Sequence, residues 1–483
     1  MAHPVGLAPV APQGQSNIIS FFSDPRIIRI AAYAFSLLGA LGTAYFLVVG
    51  SFIPAIAAAV VTAAAVYFGF VREGPTPQIP DLKPVISPVL ASRIDGVQET
   101  VRVKVVEAVS NEIVKDRIAA ATLGQGIGDA LGLLTEFTTA RSAQLMIGGR
   151  DLEYALKDDL AFMHGPYSRF RRKFPVGAFT DDTEQACVLV RAIDQKKKGA
   201  QQNLEHLFAE QMIHWSQHGL DSYRGQYRSL ENPACNDIGN LTRAVLSHPD
   251  FRKAPLRAAE ETWSQTRAFQ DRMASNGAVM RTSVIGSIYH KDLKEVVAKT
   301  ILFAKVTHAD PRCVAASVAV TTALALMIQG YKDVNEVTAL AANIAKQVLS
   351  DELDRHAPEH RKEVLERYAL ELEAHIWGNW DSLKLDEGSI GYAYKCMGAA
   401  FCALRRADAY NQQNLPDPTA AFRNAIQEVV AQGGDADTNA APAGALIGAY
   451  LGSARIPNSW KEGLNPAARA VLNQTNEMIQ AML

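Results

Sequence analysis

From Ile30 to Val71 no charged residue interrupts the chain, about twice the ~20 residues that one helix needs to cross a bilayer core. Gly50, Ser51 and Pro54 break the run near its middle, so the pattern predicts a two-helix transmembrane hairpin over 27–72. Arg26 and Arg29 precede the first span and Arg72 follows the second, while the turn is uncharged; the positive-inside rule then places both ends on the cytoplasmic side. A cleaved secretory leader fits less well, because its apolar region would be only ~7 to 15 residues and closer to the start. Residues 1–26 read as a polar tail, and 73–100, with Pro75, Pro77, Pro80, Pro84 and Pro88, as a stiff extended linker.

Beyond the linker the hydrophobic spacing turns helical, over Val101–Ala120, Val334–Leu353 and Lys362–His375, and strand-like alternation is hard to find. The expectation is an all-α domain over 101–483. Asp310 is suited to a helix N-cap and Pro311 to its first turn. They open an uncharged Ala- and Val-rich run to Gly330. Its length is at the lower limit for a third span, but charged amphipathic segments flank it, so a central core helix is preferred.

Composition narrows the function classes. The net charge of −2 offers no field to recruit nucleic acid. Five cysteines without CxxC spacing argue against a disulfide framework or a zinc ribbon and favour a reducing compartment.

Two acidic clusters carry the candidate chemistry. The first, Thr180-Asp181-Asp182, precedes an apolar run; Asp181 and Glu184 have capping-box spacing, and the same carboxylates with the threonine hydroxyl offer hard oxygen ligands for Mg²⁺ or Mn²⁺. The second, Asp435-Ala436-Asp437-Thr438, follows Gly433-Gly434 and leads into Ala440-Ala441-Pro442-Ala443-Gly444-Ala445, a run of small residues suited to close helix packing. Carboxylates at the mouth of such a buried helix call for a cation to offset their desolvation. If the two clusters face each other, they can hold two ions.

Three further stretches complete a resemblance. Gly126-Ile127-Gly128-Asp129-Ala130-Leu131-Gly132 with the following Glu136, Ser275-Asn276-Gly277-Ala278-Val279-Met280-Arg281, and Thr307-His308-Ala309-Asp310-Pro311 are similar, in order, to segments of the ADP-ribosylglycohydrolase family. The likeness runs from about Asn111 to Leu483. It implies a compact orthogonal helical domain of that type, preceded here by the hairpin. It implies two divalent cations, Mg²⁺ or Mn²⁺, on Thr180, Asp181, Asp182, Asp435, Asp437 and Thr438. Glu136 and Asp437 would be catalytic, Asn276, Gly277 and Ala278 would line the ADP-ribose site, and His308 would touch the bound nucleotide. Tyr392 and Tyr394 become candidates for stacking on adenine. Asp129 is read as structural. Val284 stands where many relatives carry proline, and the stretch from Tyr223 to Lys253 reads as a surface insertion.

The implied activity is removal of ADP-ribose from modified proteins, releasing free ADP-ribose, by an enzyme held at a membrane through residues 27–72. Two other readings are an idle ADP-ribose-binding module and a membrane-tethering effector. Intact acidic clusters speak against the idle module.

Overall fold

The computed structural model describes residues 86–104, 109–158, 168–171, 173–220, 235, 237–265, 274–356 and 361–483. The tail expected at 1–26, the hairpin at 27–72 and the first part of the linker lie outside the described residues. The principal helices are α1 (Pro88–Lys104), α2 (Asn111–Gly132), α3 (Asp181–Lys197), α4 (Val279–Ile288), α5 (Leu293–Lys305), α6 (Pro311–Ile328), α7 (Val334–His356), α8 (Arg361–Ile376), α9 (Ala393–Gln412), α10 (Ala436–Leu451) and α11 (Pro466–Ala481). No strand occurs among the described residues; a single isolated bridge joins Ser275 to Tyr392.

α6 is the axle. Asp310 caps it by accepting from the Arg312 amide at 2.9 Å, and Pro311 fills the first turn, as expected. The helix is long and apolar enough to cross a membrane, but every residue of it is buried, packed by α4, α5, α7, α9 and α10. At its far end Arg117 donates to the Met327 and Ile328 carbonyls, which the helix leaves unpaired.

Two stretches depart from the sequence reading. Pro88 opens a helix where an extended linker is expected: proline is tolerated in a first turn, and Leu90, Ile94, Val97 and Val101 form one buried stripe against α5 and α7. The periodicity read as continuous from Val101 to Ala120 belongs to two helices, because α1 ends at Lys104 and Ser110 caps α2 by accepting from the Ile113 amide.

The closest helix pair is α2 with α10. Ala120, Gly124, Gly128 and Gly132 of α2 meet Gly448, Gly444, Ala440 and Ala436 of α10 in antiparallel order. A Cβ placed on Gly444 would lie 2.0 Å from the Gly124 carbonyl oxygen, and one on Gly128 2.1 Å from that of Ala440, so both backbones touch with no room for a methyl group. Pro442 sits inside α10 and cannot supply the amide that the Thr438 carbonyl would receive; the Cys396 thiol of α9 donates to that carbonyl instead, at 3.2 Å. The pair brings Asp129 near the end of α2 beside Asp437 at the start of α10.

Candidate active site

Asp129 organises the first cluster. One of its oxygens accepts from the Thr180 amide (2.8 Å) and hydroxyl (2.9 Å), the other from the Thr183 amide (2.9 Å) and hydroxyl (2.6 Å). A carboxylate from α2 thus caps α3 from outside, and the capping-box reading of Asp181 and Glu184 does not hold. Thr180 occupies the cap position with no side-chain cap bond, and Glu184 instead accepts from the Trp215 indole at 2.6 Å. With their capping duty removed, Asp181 and Asp182 line a cleft of about 600 Å³.

The second cluster turns on Gly433 and Gly434, both in the left-handed region, with φ of 63° and 67°. This turn is stapled to the chain after Glu136: the Phe137 amide donates to the Gly434 carbonyl (2.6 Å) and the Gly434 amide to the Thr138 carbonyl (2.8 Å). Phe137 itself adopts a left-handed φ of 59°, uncommon for a bulky residue, and lines the cleft beside Glu136.

The clusters converge. The Thr180 hydroxyl oxygen lies 2.7 Å from Asp182 Oδ2 and 3.4 Å from Asp437 Oδ2. Oxygens of Asp129, Asp182 and Asp437 fall within 4.8 Å of one another, and so do oxygens of Glu136, Asp435 and Asp437. Asp437 belongs to both trios. Asp182 Oδ1 and Glu136 Oε2 are buried without a hydrogen-bond partner. Burial drives the carboxyl groups of Glu136, Asp181, Asp182 and Asp437 well above their usual range, and their neighbours' charges add to the effect for each. Asp129 rises to about 6 for the same first reason, restrained by its four donors. Orphaned carboxylate oxygens in a pool of buried negative charge suit hard divalent cations, which supply the missing partner and the compensating charge.

This makes a prediction. A carboxyl group whose pKa is higher folded than unfolded adds stability below its unfolded value and loses that contribution as pH rises through its folded value, about 6 for Asp129. Chelator-treated protein should therefore melt at falling temperature as pH rises from about 4 through about 6. Millimolar Mg²⁺ or Mn²⁺ at neutral pH should raise Tm by about 5 to 10 °C. Scanning fluorimetry across pH, with chelator and with metal, checks both.

The other expected residues divide. Asn276 and Gly277 line the cleft, and the Asn276 amide group donates to Asp435 Oδ2 at 2.8 Å. Gly277 makes room for His308, whose ring would meet a Cβ there at 2.8 Å. Ala278 is wholly buried and does not line the cleft, because the tight turn over Asn276–Ala278 rotates its third residue toward the core. Thr438 lines the cleft; Thr180 lies fully buried behind it. Burial, with Arg281 nearby, holds His308 well below its usual pKa, so its ring is neutral.

Tyr392 and Tyr394 do not stack in the cleft. Tyr394 is fully buried and the Tyr392 hydroxyl donates to Glu371 at 2.8 Å; Ile390 and Gly391 line the cleft instead. Nor is the whole stretch from Tyr223 to Lys253 mere surface, since Asp237, Ile238, Gly239 and the start of the Asn240–Leu246 helix form one wall, with Arg243 and Lys173 the basic side chains among them. Asp237 before Gly239-Asn240 was a readable helix-start signal.

A cleft floored by buried carboxylates on an all-helical domain is the build of a hydrolase that works with bound cations. The chain belongs to the ADP-ribosylglycohydrolase family, whose model matches residues 110–482, and is a glycohydrolase. It is 24% identical over 352 residues to the ADP-ribosylarginine hydrolase Tri1 of Serratia proteamaculans, covering 72% of this chain and 75% of that one. It is 25% identical over 311 residues to the ADP-ribosylhydrolase ARH3 of Homo sapiens, covering 59% and 74%. An uncharacterised protein of Archaeoglobus fulgidus is 25% identical over 352 residues, covering 72% and 92%.

Proposed function

We propose that this enzyme hydrolyses the glycosidic bond joining ADP-ribose to a protein side chain, with two divalent cations, Mg²⁺ or Mn²⁺, held by Thr180, Asp181, Asp182, Asp435, Asp437 and Thr438. The observation that carries the reading is the pair of carboxylate trios sharing Asp437. Bound there, the cations would supply positive charge that acidifies water and holds ribose hydroxyls. Asp437 lies between the trios as the base that accepts a proton from the attacking water. Glu136 keeps its proton at neutral pH because burial and Asp435 raise its pKa, and its unpartnered oxygen can pass that proton to the departing side-chain atom. Asn276 orients Asp435, and the Phe137 and Phe170 rings wall the cleft, limiting water.

The test is release of free ADP-ribose from ADP-ribosylated protein. Turnover should vanish on chelation and return with Mg²⁺ or Mn²⁺; turnover in fully chelated protein would sink the two-cation reading.

We also propose that residues 27–72 anchor the enzyme in a membrane, catalytic domain on the cytoplasmic side, on the strength of the uncharged run and its arginine flanks. Removing 1–72 should move the protein from the membrane to the soluble fraction with turnover retained.

A further inference from the structure

A chain of hydrogen bonds runs from a buried arginine to the rim of the cleft, and its direction is set by chemistry. Arg281 is fully buried, and its guanidinium only donates: Nη1 to Gln185 Oε1 at 3.0 Å, Nη2 to the Phe303 carbonyl at 3.1 Å and to the Thr307 hydroxyl at 2.7 Å. Burial lowers its pKa to about 9, so it stays charged at neutral pH. Thr307 Oγ1, having accepted from Arg281, sits 2.7 Å from His308 Nδ1. The Thr307 proton goes to Nδ1, since the reverse direction would leave that buried proton without an acceptor. A neutral His308 that accepts at Nδ1 carries its own proton on Nε2, which lies 2.9 Å from Ser275 Oγ. Ser275 therefore accepts from His308 and keeps its hydroxyl proton to give away.

Ser275 is half-buried and lines the cleft, and its hydroxyl makes no other hydrogen bond in the structure. A donor at the end of a chain headed by a cation is polarised toward an anionic acceptor. The carboxylates occupy the floor, so an anionic ligand must be caught away from them, and the Ser275 side of the cleft is backed by the charge of Arg281.

We infer that the Ser275 hydroxyl donates to a phosphate oxygen of the bound ADP-ribose, and that Arg281, Thr307 and His308 are positioning residues that hold it in the donating state. This rests on the ADP-ribose reading above. The same arginine fixes the metal side: because Gln185 must turn its oxygen to Arg281, its amide nitrogen donates to Asp181 Oδ2 at 2.8 Å, leaving the other oxygen of Asp181 free.

The experiment is calorimetric titration of the full-length protein with ADP-ribose and, as a phosphate-free control, adenosine. Ser275→Ala and Thr307→Val, the latter close to isosteric, should each weaken ADP-ribose binding about tenfold and leave adenosine binding unchanged. The double variant should be no weaker than either single one, because both cut the same chain. Thr307→Ser, which keeps the hydroxyl, should restore affinity. In histidine-labelled protein, ¹⁵N NMR should show His308 protonated on Nε2, and a mixture in Thr307→Val. Additive losses, an unchanged Ser275→Ala, or the Nδ1-protonated form in the wild type would overturn the relay. A wild type that binds no ADP-ribose at all would overturn the functional reading itself and the relay with it.

Discussion

Replacing Asp437 with alanine is expected to lower turnover by about 10³-fold or more and to leave the helical fold intact. No other residue belongs to both carboxylate trios, so its loss should weaken cation binding at both positions. The same change should raise the melting temperature of chelator-treated protein. Asp437 is buried among Glu136, Asp182, Asp435 and Asp129, which push its pKa upward, and removing one member of that set relieves repulsion that only a cation otherwise offsets. Steady-state turnover with circular dichroism and a chelated melt reads all three. An Asp437→Ala protein that turns over at half the wild-type rate would dismiss the shared-ligand proposal.

Replacing Gly444 with valine should have the largest structural effect, destabilising by about 4 kcal/mol or more or preventing folding outright. Its Cβ would sit 2.0 Å from the Gly124 carbonyl oxygen, and relief requires that α2 and α10 separate, taking Asp129 away from Asp437. Gly96→Ala in α1 is the control: nothing lies within 4 Å of a Cβ there, and trading glycine for alanine inside an exposed helix turn should stabilise by about 0.5 to 1 kcal/mol. Urea denaturation of the two variants compares them directly, and a Gly444→Val protein as stable as wild type would show that the close approach is not required.

The two acidic clusters were legible in the sequence because each is local: two carboxylates and a threonine within four residues. Their meeting was not, because nothing in either segment encodes a partner more than 250 positions away. Asp129 shows the limit most clearly. It reads as one more polar residue in a glycine-rich helix, and its work depends on four donors some fifty residues on, which only tertiary packing supplies. Capping-box spacing at Asp181 and Glu184 misled for the same reason, since the cap came from another helix. The core helix from Pro311 was readable because cap, first-turn proline and apolar run agree. Pro88 misled because proline is compatible both with an extended spacer and with a helix start, and the stripe from Leu90 to Val101 decides between them.

The α2–α10 contact also bears on how the enzyme can change over time. Along it one helix counts up in fours while the other counts down, from Ala120 with Gly448 to Gly132 with Ala436. A slip by one notch would carry the two halves of the cation site about 6 Å past each other. A single inserted or deleted residue inside either helix is therefore fatal to the site, whereas the long stretch of chain between Gly132 and Ala436 can lengthen or shorten in its loops at little cost. Variation in substrate choice is free to accumulate in those loops, as in the wall around Asp237, while the ruler that spaces the carboxylates stays fixed.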